Sequence, residues 1–273
     1  MIKIFNLLLT NFNIMKNIIC FFLFFFISFC YSQPNEGEIV RFEFVKVEKG
    51  DIEEFEIFMT DFVGKVASKA VENGKLENWI LRRVNQSSLY NSQFSHMIIW
   101  VVPKNTPTWP ETWDATYPGL SADSRSWAWS KGQELYETVY NARCTYITGF
   151  NHTGDKVNNI ATFNLIKANN INAYSEFEKN MKKTLEKHAP SLKGWHVLSR
   201  NGSVTRSENA WNFLTIDTFE SMADANKVWW SEIPQKINES NIKKYGSASD
   251  LRVIQHRVVT RLLFDAKNGK FEN

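Results

Sequence analysis

The side chains best suited to chemistry in this sequence are few, and they fall on predicted strands. Asn164, in ATFNLIKA, lies between Phe163 and Leu165, so its amide projects from the other face of that strand. Glu43 holds the matching place in VRFEF, between Phe42 and Phe44. If Phe42, Phe44, Phe163 and Leu165 face covering helices, then Glu43 and Asn164 face the space behind the sheet, where a carboxylate and an amide could orient a substrate. His96 in SHMIIWVV and His196 in KGWHVLSR are also strand residues. Alternation puts His96 on the side of Ile98 and Trp100, and His196 opposite Trp195 and Val197. An imidazole held on a strand can move a proton near neutral pH, although histidine is often simply half buried. Asn164, His196 and His96 are therefore the catalytic candidates. No His–His or His–carboxylate spacing marks a metal site, and none is expected. Gly-rich phosphate loops, the G-x-S-x-G elbow and a Cys–His nucleophile pair are missing from the sequence.

Aromatic residues supply the second set of candidates. SRSWAWSKGQ (124–133) and ANKVWWSEIPQ (225–235) each carry a tryptophan pair in a predicted helix, Trp127 with Trp129 and Trp229 with Trp230. Core anchoring of the helix on its sheet is the expected role. Neighbouring helical residues diverge by about 100°, so at most one of each pair can face the core squarely. The other faces a neighbour, a lid or a cavity. Trp100, Trp129 and Trp230, with Glu43, Arg143 and Arg257, form the candidate ligand-binding set; for Glu43 the competing expectation is a salt bridge to Arg143 or Arg257.

These residues recur at matching places in two halves of the chain. VRFEFVKVEKGDIEEFEIF (40–58) parallels ATFNLIKANNINAYSEFE (161–178), ENWILRRV (77–84) parallels KGWHVLSR (193–200), and NARCTYITGF (141–150) parallels QHRVVTRLLF (255–264). Each half reads as strand, helix, strand, strand, helix, strand. Asp51 and Asn170 stand where an N-cap is wanted, and Ile52, Phe55 and Phe58 recur along one helix face. Gly74 stops the first helix, and Pro190 with Gly194 stops its counterpart. This order predicts an α+β chain of two tandem ferredoxin-like β-α-β-β-α-β repeats, at 33–154 and 155–265, packed sheet to sheet with a polar tail at 266–273. The first repeat carries a Pro/Trp-rich insert at 104–123, expected as an ordered surface loop or a lid at one barrel mouth.

In the doubled strand–helix pattern, the [DN]-I-x-x-[FY]-x-x-F motif after the first strand and the aromatic second helix, the sequence resembles the dimeric α/β-barrel superfamily in its tandem, fused form. The resemblance spans roughly residues 39–265. It implies a fused barrel, and among the activities of that superfamily are cofactor-independent oxygenation of aromatic compounds, haem degradation and chlorite-dismutase-like haem chemistry. Haem-degrading members use a first-strand asparagine with a tryptophan and a histidine. Asn164 falls on a comparable strand, while the rest of that set has no match here. No cofactor is expected, with haem as the alternative.

Residues 1–32 read as a cleaved signal peptide. Lys16 precedes the apolar run IICFFLFFFISF (18–29), shorter than the roughly 18–20 residues a membrane span needs, and Met15 offers an alternative start. Its loss removes Lys3 and Lys16 and no acid, so the formal charge falls from +3 to +1. A near-neutral chain has no general attraction to nucleic acid. Cys20 and Cys30 also leave, and Cys144 alone cannot form an intramolecular disulfide. The expectation is a secreted or periplasmic protein, without a membrane span after cleavage and able to close as a monomer. It would bind an apolar or aromatic small molecule, act as a monooxygenase, or serve as a ligand-free interaction module.

Overall fold

The computed structural model describes residues 34–87, 93–103, 110–154, 157–202 and 210–270; the segment 1–32 expected as a signal peptide, the start of the Pro/Trp-rich insert and the end of the polar tail lie outside them. The first half runs β1 (Ile39–Lys46), α1 (Ile52–Ile57), a π-helical stretch (Phe58–Val63), α2 (Gly64–Glu72), β2 (Asn78–Ser87), β3 (His96–Val102), α3 (Pro110–Thr116), α4 (Ala122–Gln133) and β4 (Glu137–Asn151). The second runs β5 (Ile160–Ala168), α5 (Ile171–His188), β6 (Gly194–Arg200), β7 (Phe213–Phe219), α6 (Met222–Ala225), a 3-10 turn (Trp229–Glu232), α7 (Gln235–Tyr245), α8 (Ala248–Leu251), β8 (Arg252–Asp265) and the short β9 (Gly269–Lys270).

All pairings are antiparallel. The strand order is β2-β3-β1-β4-β6-β7-β5-β8, with β9 on β8, and pairing of β2 with β8 closes the circle. The result is an α+β fold around a closed barrel of eight antiparallel strands, with helices outside it. Closure removes the exposed edges that an open sheet of this size would present.

Closure also decides what each strand face meets. Phe42, Phe44, Met97, Ile99, Phe163, Leu165, Leu214 and Val258 are all buried in one cluster drawn from both halves. Phe42 and Phe163 meet edge to face at 6.4 Å across it. These rings fill the barrel, contrary to the expectation that they face the helices. An interior bounded by eight strands is narrow enough for side chains to fill, and a row of rings packs into it. Among the described residues, these side chains from both halves meet in the space between the sheets. Two further clusters lie outside the barrel under the helices. Phe55, Met59, Val63, Trp79, Ile98 and Phe264 build one, and Tyr174, Phe177, Trp195, Phe213 and Phe219 build the other.

The helix starts differ between the halves. Asn170 caps α5 by accepting from the Ala173 N–H at 3.0 Å. Asp51 makes no such bond, and α1 begins on backbone geometry alone. Gly74, at φ 66°, ends the first helical run as its left-handed backbone requires.

A candidate binding cavity under the first-half helices

Because the rings of β1 point inward, Glu43 points outward, beneath α4. There it lines a cavity of about 550 Å³ together with Ile98 and Trp100 of β3, Trp113 of α3, Trp129 of α4 and Tyr136. Met59 and Val63, from the π-helical stretch, complete the wall. A π-turn re-aims the side chains that follow it, and such turns concentrate at functional sites. Trp113 and Trp129 stand nearly perpendicular, 5.6 Å apart at 77°, and form a corner of two indoles. Phe62 packs behind Trp113 at 5.3 Å and stacks on Tyr117 at 5.0 Å. Gly132 lets α4 come close: a Cβ there would lie 2.0 Å from the ring of Phe58.

The polar groups of this wall are few. Glu43 accepts a hydrogen bond from the Thr138 hydroxyl at 2.6 Å. That bond takes the place of the ion pair expected with Arg143 or Arg257. Burial, with the Glu43 charge nearby, pushes the Tyr136 phenol up to about 12, so it stays a neutral donor across the physiological range. Arg125 is engaged within its own helical hairpin, paired with Asp114 and donating to the Leu120 carbonyl. The described part of the insert, 110–123, thus forms a helical cover beside this cavity.

The remaining sequence candidates are dispersed. Arg143 lies exposed on the outer face of β4, directly across from Arg41. Arg257 stands across from Asn164 on β8, and Trp230 is 57% exposed beside the 3-10 turn. Neither tryptophan pair anchors its helix as expected. Trp127 is 67% exposed and Trp129 lies at the cavity edge, while Trp229 packs only partly on the second-half core. Alternate faces of these short helical segments look outward, so a pair of neighbours cannot both be buried.

The three catalytic candidates do not converge. Asn164 is buried on the helix side of the second half, donating to Thr215 Oγ1 at 3.1 Å and to Asp217 Oδ2 at 3.0 Å. Burial pushes the Asp217 carboxyl up, against the pull of Asn164. Arg252 donates to Tyr174 Oη at 2.6 Å and pairs with Glu178 at 3.2 Å, so that side of the second half carries a closed polar network. His96 faces the first-half helices, fully buried, with Ser95 Oγ at 2.9 Å from Nδ1 and Glu56 at 3.0 Å from Nε2. His196 looks toward the barrel interior, with Tyr146 Oη 3.2 Å from its Nδ1. Three faces of two sheets cannot place these groups on one reacting atom.

Sequence reasoning missed Met59, Val63, Trp113, Arg125, Gln133 and Tyr136 as wall residues. The aromatic richness of the insert was the only signal that could have pointed to Trp113.

No family model matches the chain, and no curated protein matches it in sequence. Solved structures do resemble it in three dimensions. A candidate monooxygenase from Lactobacillus acidophilus superposes with a TM-score of 0.50 at 12% identity, covering 86% of this chain and 99% of its own. The fold is that of the dimeric α/β barrels. A candidate monooxygenase from Fusobacterium nucleatum gives 0.48 at 10% identity over 87% and 98% of the two chains. A haem-binding protein from Thermus thermophilus gives 0.44 at 9% over 85% and 94%. At such identities a likeness bears on the fold alone and leaves chemistry to the site itself.

Proposed function

We propose that this protein binds a planar, largely apolar small molecule in the cavity between the first-half sheet and its helices. The observation that carries the reading is the cavity of about 550 Å³ with three indoles in its wall. Ligand sites have this character, apolar and aromatic walls with a small number of placed polar groups. We also read the two halves as copies of one β-α-β-β-α-β unit joined in tandem. The strand orders β2-β3-β1-β4 and β6-β7-β5-β8 support this. Such a fused barrel needs no second chain to close. With the segment 18–29 as a signal, the protein works outside the cytoplasm.

A second reading is oxygenation of the bound molecule without a cofactor, with Glu43 as the base. It is supported by the position of that carboxylate on the cavity floor and by the oxygenase descriptions of structural neighbours. The lining of this cavity has no histidine or cysteine, Met59 and Tyr136 are the lining side chains of a type that can ligate haem iron, and its one cation, Arg125, is already committed to Asp114. His96, on the same strand face, has both ring nitrogens occupied.

The test uses 1-aminoanthracene, a planar probe that brightens in apolar surroundings. The wild-type protein is expected to bind it, and Ser126→Trp, which puts an indole into the cavity from α4, to weaken binding at least about tenfold. Trp129→Ala should weaken it by a smaller factor. Unchanged binding in Ser126→Trp would place the probe elsewhere and defeat the proposal.

A further inference from the structure

We infer that the ligand of the first-half cavity carries a positively charged nitrogen, a protonated or quaternary amine seated over Glu43. This inference rests on the cavity being the binding site. It follows from charge accounting along the wall. The lining holds Glu43, Asp114 and Arg125 as its charged groups. Arg125 and Asp114 pair with each other, and Arg125 also donates to the Leu120 and Tyr117 carbonyls, so neither is left for a ligand. Among the described residues Glu43 has no cationic partner, only the Thr138 hydroxyl at 2.6 Å. It is the one charged group of the lining without an ion-pair partner, in a wall whose other residues are mostly aromatic or aliphatic.

Any molecule that fills the cavity must strip water from that carboxylate. A neutral apolar body gives nothing in return, and leaving an unpaired ion dry is among the costlier events in a protein interior. An ammonium group returns the lost hydration as an ion pair. The walls favour the same sign of charge. The indoles of Trp100, Trp113 and Trp129 and the ring of Tyr136 line the space, and a cation is drawn to the faces of such rings. Trp113 and Trp129 bring two of these indoles together at one corner. The cavity is too large for a bare methylammonium, so the nitrogen belongs to a body that fills the rest. Arg41 and Arg143, side by side on β1 and β4, are the groups that would oppose a cation. They are exposed, and neither lines the cavity.

Three probes with one indole body separate the alternatives by calorimetry on the mature chain: tryptamine, tryptophol and indole-3-acetate. The expected result is tryptamine bound at least about tenfold more tightly than tryptophol, with indole-3-acetate weakest, and the tryptamine advantage lost in Glu43→Gln. Glu43 lies on a strand face with one hydrogen bond, and the amide of glutamine keeps an acceptor for Thr138, so the variant should fold; its melting temperature checks this. Equal binding of tryptamine and tryptophol would overturn the charge assignment while leaving the cavity as a site. Tighter binding of indole-3-acetate would overturn it too and move the ligand's charge to Arg41 and Arg143. Failure of all three probes, and of 1-aminoanthracene, would overturn both the assignment and the site on which it rests.

Discussion

Arg82→Met is expected to lower the unfolding free energy by about 3–5 kcal/mol, seen as a lower urea midpoint with an unchanged slope. Arg82 leaves the first half on β2 and is buried at 2% exposure. Its Nε donates to Thr260 Oγ1 at 2.8 Å, and its Nη2 donates to the carbonyls of Asn158 and Asn159 at 3.1 and 2.6 Å. One guanidinium thus joins β2, the segment entering β5, and β8, along the seam where the barrel closes. Burial brings its pKa down to about 9, with the Asp265 charge acting the other way, so it stays charged at neutral pH. Methionine keeps most of the stem's volume and removes every donor. The Asn159 carbonyl still receives the Leu262 N–H at 2.8 Å, but the Asn158 carbonyl loses a charged donor. Asp265, itself 1% exposed, is left as a buried carboxylate without its nearby cation. An unpaired buried group costs more than the bond it once made was worth. Adding Asp265→Asn to Arg82→Met should therefore recover part of the loss. A change below about 1 kcal/mol for Arg82→Met would show that the seam holds without its clasp.

His196 should make the protein acid-sensitive above the range where carboxylates titrate. Burial, with a smaller push from Lys182, brings its pKa from 6.5 down to about 4 in the folded state. The unfolded chain then takes up a proton first as pH falls. The stability contribution is whole above pH 6.5 and is lost between there and about 4, for a total of about 3 kcal/mol at the usual 1.36 kcal/mol per unit. His96 is shifted down by burial and Glu56 is held down by its contacts with His96 and Arg83, so both act with the same sign. Glu178 and Asp217 are pushed up by burial and act with the opposite sign, gaining stability as pH falls through their folded range. Wild-type curves alone therefore mix several groups. The decisive quantity is the difference between wild type and His196→Gln, since glutamine can still bond the Tyr146 hydroxyl. That difference should slope across pH 4 to 6.5 and flatten above it. A level difference would mean that His196 is hydrated in the folded state.

Some of the site was legible before the fold was known. Glu43, Trp100 and Trp129, three candidates from the sequence, line one cavity, and Glu43 reaches it from the outer side of its sheet and not from the inner side that alternation suggests. Tyr136, on the same wall, carried no readable signal, because a tyrosine just after a helix looks like any other. Arg82 was also unreadable. Nothing in ENWILRRV distinguishes an arginine that will be buried from Arg83, which reaches Glu56 on α1 at 3.2 Å. Burial of Arg82 depends on Thr260 and Asn158, far along the chain, and such pairings leave no local trace.

The sequence by itself determined the order of strands and helices and the two rows of side chains on each strand. Those properties are local, set by a period of two or 3.6 residues and by caps and breakers within a few positions. Only the tertiary structure decided which row faces which layer. Every strand here is covered on one face by helices or a polar rim and on the other by the opposing sheet, so both rows carry apolar residues and alternation cannot rank them. Closing eight strands settles it, because the narrow interior is shielded from solvent and favours the apolar row. The rings of Phe42, Phe44 and Phe163 fill that space. The carboxylate of Glu43, which needs water or a partner, turns outward to the cavity beneath α4, where a ligand can provide one.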